Sequence, residues 1–138
     1  MRKFIITFIV LNIFLVHAKI IKPSLAMQKR FSNLLLYVKY RETPKALYDL
    51  ATMYREGELT KLNYRKAFHL YHKSALKNFP PSQYQLGMAF RHGIGVKINH
   101  ERAKYWLRKA AKNNHRDANI IFHLYYSKKR MIRQYPFR

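Results

Sequence analysis

The chain has no cysteine. A disulfide framework, a zinc–thiolate site and a cysteine nucleophile are therefore all excluded. Acids are scarce as well: six Asp and Glu stand against 28 Lys and Arg, for a formal charge of +22. The six are Glu42, Asp49, Glu56, Glu58, Glu101 and Asp117, too scattered to form the carboxylate pair that general acid–base chemistry uses. Glu56 and Glu58 bracket Gly57 and read as surface residues at a turn. Gly93-Ile94-Gly95 lacks a third glycine and follows no strand, so a dinucleotide site is unsupported. No serine stands in a nucleophile elbow. His69 and His72 have metal-ligand spacing on one predicted helix, but no carboxylate or third histidine lies near them in sequence. They read as solvated or groove-lining side chains. The sequence thus predicts a protein that is not an enzyme and holds no metal or cofactor.

A long apolar run is also missing. The longest, Phe4 to Val16, has 13 residues interrupted by Thr7 and Asn12, whereas a membrane-spanning helix takes about 20. Arg2 and Lys3 precede it, and Val16-His17-Ala18 follows with the small-x-small pattern of a signal-peptidase site. Residues 1–18 therefore predict a signal peptide cut after Ala18, and a periplasmic or secreted protein. An uncleaved membrane anchor is the alternative.

What the chain has in excess is positive charge, which favours anionic partners: nucleic acid, acidic lipid, surface polysaccharide or an acidic protein. A generally basic proteome would give the same composition without any such function.

The organising feature is a repeat. Tyr84 to Ala111 reads as two helices joined by a glycine turn, and Tyr48 to Ala75, 36 positions earlier, carries the same pattern without a gap. Periods of this size mark stacked helical hairpins. Thr43 and Pro44 start the first helix as N-cap and first helical residue. Gly57 stops it in a left-handed conformation, and Asn63 caps the next. In the second copy the first helix runs from about Pro81 to His92, Gly93 ends it, Gly95 and Val96 turn the chain, and Asn99 caps again. Ala46, Leu50, Met53 and Tyr54 share one face. Ala67, Leu70, Tyr71, Ser74 and Ala75 line the second helix of the first copy, and Ala103, Trp106, Leu107, Ala110 and Ala111 the second helix of the next. Small residues recur in register as Ala51 and Gly87, Ala67 and Ala103, Ala75 and Ala111, where they permit close helix approach.

Leu86-Gly87, Phe90, Gly93, Gly95-Val96, Asn99, Ala103, Trp106-Leu107 and Lys109-Ala110-Ala111 together resemble the Sel-one-like repeat family, a relative of the tetratricopeptide repeats. The second copy is a close match. The first departs at Ala51, Leu59 and Leu70, which replace two glycines and the tryptophan. The resemblance covers about 44–126 and implies an all-α, short right-handed solenoid of about two and a half repeats, working as a protein-interaction scaffold or adaptor. Some cysteine-rich members of that family have been linked to penicillin binding; this chain lacks their cysteines.

The predicted organisation is a signal peptide at 1–18, a linker and basic amphipathic leading helix at 19–42, the repeat domain at 43–126 and a basic tail at 127–138. The leading helix, from Leu25 to Tyr40, covers the open end of the stack; a basic membrane-surface helix is the rival reading. At the other end Asp117 is the expected cap of a last helix that is apolar on nearly every side, through Ile120, Ile121, Phe122, Leu124, Tyr125 and Tyr126. Either the tail folds back over it or a partner does, and a homodimer is one such contact. The protein-binding face is assigned to first-helix positions expected to be exposed: Tyr48, Asp49, Thr52, Arg55, Tyr84, Gln85, Met88 and Arg91. Lys66, Lys73, Lys77, Arg102, Lys109 and Lys112 form a basic ridge. With the tail it is the alternative binding surface, for nucleic acid, another anionic polymer or a membrane.

Overall fold

Thr43 and Pro44 open the first hairpin as the sequence predicts. The Thr43 hydroxyl accepts the Ala46 N–H at 3.3 Å, and Pro44 occupies the first turn, where its missing N–H costs nothing. The computed structural model describes residues 24–57 and 60–127. The predicted signal peptide, Glu58, Leu59 and the tail from 128 lie outside the described residues. Six helices follow in order: α1 (Leu25–Tyr40), α2 (Pro44–Glu56), α3 (Tyr64–Leu76), α4 (Pro80–His92), α5 (His100–Lys112) and α6 (Arg116–Phe122), the last continued by a π-helical turn (His123–Ser127). No strand occurs among the described residues, and none of their helices is long and apolar enough to cross a membrane. Each helix packs chiefly on its neighbours in sequence, so the architecture is an all-α solenoid.

The two hairpins, α2–α3 and α4–α5, are built by equivalent local signals. Gly57 and Gly93 end their helices at φ 70° and 75°. Asn63 and Asn99 each donate a backbone N–H at 2.8 Å to the preceding helix, at Tyr54 and Phe90, and accept one at 2.9 Å on the side chain, from Lys66 and Arg102. A further pair closes the hairpins. Asn78 and Asn114 lie at φ 60° and 63° just past α3 and α5, in a conformation that asparagine tolerates better than most side chains. The helix expected from Pro81 begins one residue earlier, at Pro80.

Small side chains set the spacing. Ala51, Ala67, Ala75 and Ala103 are buried, with Tyr71, Leu86, Phe90 and Trp106 filling the space beside them. A Cβ on Gly87 would sit 2.5 Å from Leu107 Cγ, so α4 approaches α5 closely only because that atom is missing.

One junction is polar. Between α3 and α4, the Ser82 hydroxyl donates to Ser74 Oγ at 2.6 Å and Ser74 donates to the Pro44 carbonyl at 2.6 Å. Beside them the fully buried Gln83 donates to the Ala75 carbonyl and accepts from Asn113 at 2.8 Å. One repeat later the serine positions are Ala110 and Ala118, both fully buried, so the same packing works without hydroxyls. Ser74→Ala should therefore destabilise by about 1–3 kcal/mol because it strands the Ser82 hydroxyl, whereas Ser74→Ala with Ser82→Ala should be nearly neutral. A double-mutant cycle by urea denaturation checks this, and additive losses would contradict it.

The two ends differ from the middle. α1 is capped by the Ser24 hydroxyl and buries no residue completely. Phe31, Leu34 and Val38 are half-buried, and the Phe31 ring meets Tyr54 edge-on at 6.0 Å. At the far end the cap is His115, whose Nδ1 accepts the Ala118 N–H at 3.3 Å; it is not Asp117, which lies inside the first turn. The repeat explains the correction. His115 stands 36 residues after Phe79, the N-cap position of α4, so helix start follows the hairpin register and Asp117 falls too late. Tyr126 packs on the buried Leu107, Ala110 and Ala118, while Ile120, Leu124 and Tyr125 are about half exposed.

Candidate functional site

Tyr48, Thr52 and Arg55 recur every three or four residues along α2, as do Tyr84, Met88 and Arg91 along α4, with Asp49 and Gln85 beside them. All eight are half-buried rather than exposed. The physical reason is that each first helix is flanked by the next hairpin, which covers part of these side chains. The Tyr48 ring lies against Phe79 at 5.5 Å, and Tyr84 stacks on His115 at 4.6 Å, an equivalent contact one repeat on. Thr52 is hydrogen-bonded to the Tyr71 hydroxyl at 3.0 Å. Burial raises the Tyr71 phenol above its usual range, partly opposed by the Thr52 bond.

Arg55 joins the two repeats. Its guanidinium donates to Gln85 Oε1 at 3.2 Å and to Glu56 Oε1 at 2.9 Å. Burial is the largest single influence and works against its charge, but the Glu56 bond together with the charges of Tyr71, Glu56 and Tyr48 outweighs it, and the guanidinium's pKa is raised. The equivalent Arg91 instead lies 3.6 Å over the Tyr125 ring. Two hollows flank this stripe. One, of about 210 Å³, is lined by Tyr48, Asp49, Thr52, Met53 and Glu56 of α2 with Met27 and Arg30 of α1. The other, of about 50 Å³, brings Arg55, Gln85 and Met88 together with Tyr64, Phe68 and Ile94. Met27, Arg30, Tyr64, Ile94 and Tyr125 were not among the residues expected at this face. Tyr64 and Ile94 adjoin predicted caps and turns, where local signals say nothing of the surface they complete.

The basic residues of the second helices have structural partners. Lys66 lies 5.2 Å over the Tyr54 ring, and its equivalent Arg102 lies 5.5 Å over Phe90. Lys109 sits 5.5 Å over Trp106, and Lys73 donates to Glu42 at 2.9 Å, lowering that carboxyl's pKa. Stems that pack on aromatic rings while the charge stays wet are ordinary solenoid construction. Lys77 and Lys112 are exposed. His72 lies between the Phe68 and Trp106 rings, and burial, then His69 and Arg102, lowers its pKa. Among the described residues no three His, Asp or Glu side chains come together as metal ligands. The arrangement offers aromatic pads, an amide and two guanidiniums in one stripe, groups suited to contact with another macromolecule.

Relatives bear on what such a stripe belongs to. A solved Sel1 repeat protein from Oxalobacter formigenes is 28% identical with a TM-score of 0.62, covering 74% of this chain and 46% of its own. The chain thus spans about half the length of that relative. Helicobacter pylori cysteine rich protein B is 27% identical with a TM-score of 0.64, covering 69% and 71%. A protective antigen of uropathogenic Escherichia coli, c5321, displays the same fold at 21% identity and a TM-score of 0.66, covering 75% and 25%. No curated protein sequence is a significant match. The Sel1 repeat profile matches residues 44–79 and 80–115, which are the two hairpins each with its closing asparagine turn. More than half of the sequence lies within those two matches, and the chain belongs to the Sel1 repeat family.

Proposed function

We propose that this chain is an exported, non-enzymatic scaffold that binds another protein along the stripe from Tyr48 to Arg91. Sel1 repeats typically act as protein-interaction scaffolds. The observation that carries the reading is the Arg55–Gln85 bond, because it joins the equivalent positions of two hairpins into one face. Arg55 and Arg91 suit a partner with acidic side chains. Crosslinking and pull-down at physiological salt should recover such a partner. Arg55→Gln with Arg91→Gln should weaken its retention about tenfold or more, the scale of losing two central charged contacts. Unchanged retention by a folded double variant would overturn the assignment of the face. A basic-ridge binder would instead lose its ligand steeply with added salt. The same purified material reports two finer points: a mature amino terminus at Lys19 supports export, and a dimer mass supports self-association through Ile120, Leu124 and Tyr125.

A further inference from the structure

We propose that α1 is a membrane-contacting helix, lying with its outer face on an anionic lipid surface while its inner face closes the solenoid. The two faces are separate. Phe31, Leu34 and Val38 turn toward α2. Leu25, Lys29, Leu36 and Tyr40, spaced four, seven and four residues apart, fall on one opposite stripe. Along it Leu25 is 69% exposed, Leu36 56% and Tyr40 73%. Tyr37 is also exposed, and Asn33, Leu36, Tyr37, Tyr40 and Arg41 enclose an open hollow. The terminal helix of a solenoid needs a polar outer side to stay soluble. Among the described residues, this one leaves two leucines and two tyrosines exposed.

Charge identifies the occupant. From Met1 to Arg41 the sequence has eight Lys and Arg and no Asp or Glu. The first acid, Glu42, is held by Lys73 on α3. Six of the eight bases remain if the chain is cut after Ala18. Lys29 lies on this stripe and Lys39 at its edge, where their stems can lie along the apolar side chains and their ammonium groups reach headgroup phosphates. Tyr37 and Tyr40 are amphipathic rings of the kind that settle at a membrane–water boundary. The apolar run from Phe4 to Val16 ends nine residues before the start of this helix. An acidic protein would satisfy the charge, but lipid satisfies the charge and the shallow leucine–tyrosine stripe together.

Because the chain has no cysteine, Leu36→Cys supplies a single thiol for an environment-sensitive fluorophore. The full chain so labelled would be titrated with phosphatidylcholine vesicles, with and without about one part in four phosphatidylglycerol. The expected result is a blue shift on the anionic vesicles alone, reversed by about 0.5 M salt. Unlabelled Leu36→Glu with Tyr40→Glu should bind those vesicles about tenfold or more weakly in co-sedimentation. Its melting curve should be unchanged, because both side chains point away from α2. No shift at position 36, an equal shift on neutral vesicles, or a double variant that sediments like the parent would each overturn the proposal. The last outcome would assign binding to residues 4–16 or to the tail.

Discussion

Gly95→Ala is expected to cost about 2–5 kcal/mol and to lower the thermal midpoint by roughly 10 °C or more. Two effects add at this residue. Gly95 has φ +72°, where an alanine pays for its Cβ. That Cβ would also overlap the Tyr64 carbonyl oxygen and lie 2.6 Å from the carbonyl carbon, against backbone at the start of α3. Backbone at a helix start does not move aside as a side chain does. The turn of the second hairpin therefore rests directly on the first hairpin, and Gly95 is the point of contact. Gly93 separates the two effects: its φ is +75°, but its nearest neighbour is the Ile98 side chain at 3.0 Å. Gly93→Ala should show the conformational cost alone, about 1–2 kcal/mol. Equal losses in the two variants, followed by circular dichroism at 222 nm, would show that the Tyr64 contact adds nothing.

Gly95 also marks the boundary of what the sequence disclosed. Its role in the turn followed from local chemistry, as did the caps at Thr43, Asn63 and Asn99 and the stops at Gly57 and Gly93. Such signals act within three or four residues, and the 36-residue period multiplied them. Its contact with Tyr64 is 31 positions distant, and nothing in either local sequence announces it. The same limit applies to the binding face. Tyr48, Thr52 and Arg55 could be placed on one side of α2, but their half-burial depends on Phe79, Tyr71 and Gln85, supplied by other helices. His115 replaced Asp117 as a cap for a related reason. Helix start is fixed by the hairpin register, and a good capping residue two positions late is simply carried into the helix. The Asn78 and Asn114 turns were legible in principle, since asparagine recurs there at the repeat interval, immediately past each second helix.

Trp106→Ala should be the most damaging single truncation in the protein, at about 3–5 kcal/mol. Its side chain is buried in one cluster with Ala67, Tyr71, Leu86, Phe90 and Ala103, residues drawn from both helices of its own hairpin and the second helix of the previous one. The His72 ring meets it edge-on at 5.9 Å from that previous hairpin. In the first repeat the equivalent position is Leu70, which is only half-buried, so Leu70→Ala should lose less, about 1–2 kcal/mol. The contrast matters because hairpin stacks hold together through nearest-neighbour interfaces alone. Removing Trp106 opens a cavity in the core that the two hairpins share and takes away its ring contact with His72 of α3, while leaving the α2–α3 hairpin's own contacts intact. The second hairpin, α6 and the π-helical turn should then loosen before the first hairpin does. Hydrogen exchange should show protection falling across residues 80–127 and persisting in 44–76. A uniform loss of protection would mean that the two hairpins fold as one unit and would overturn the expected order of loosening.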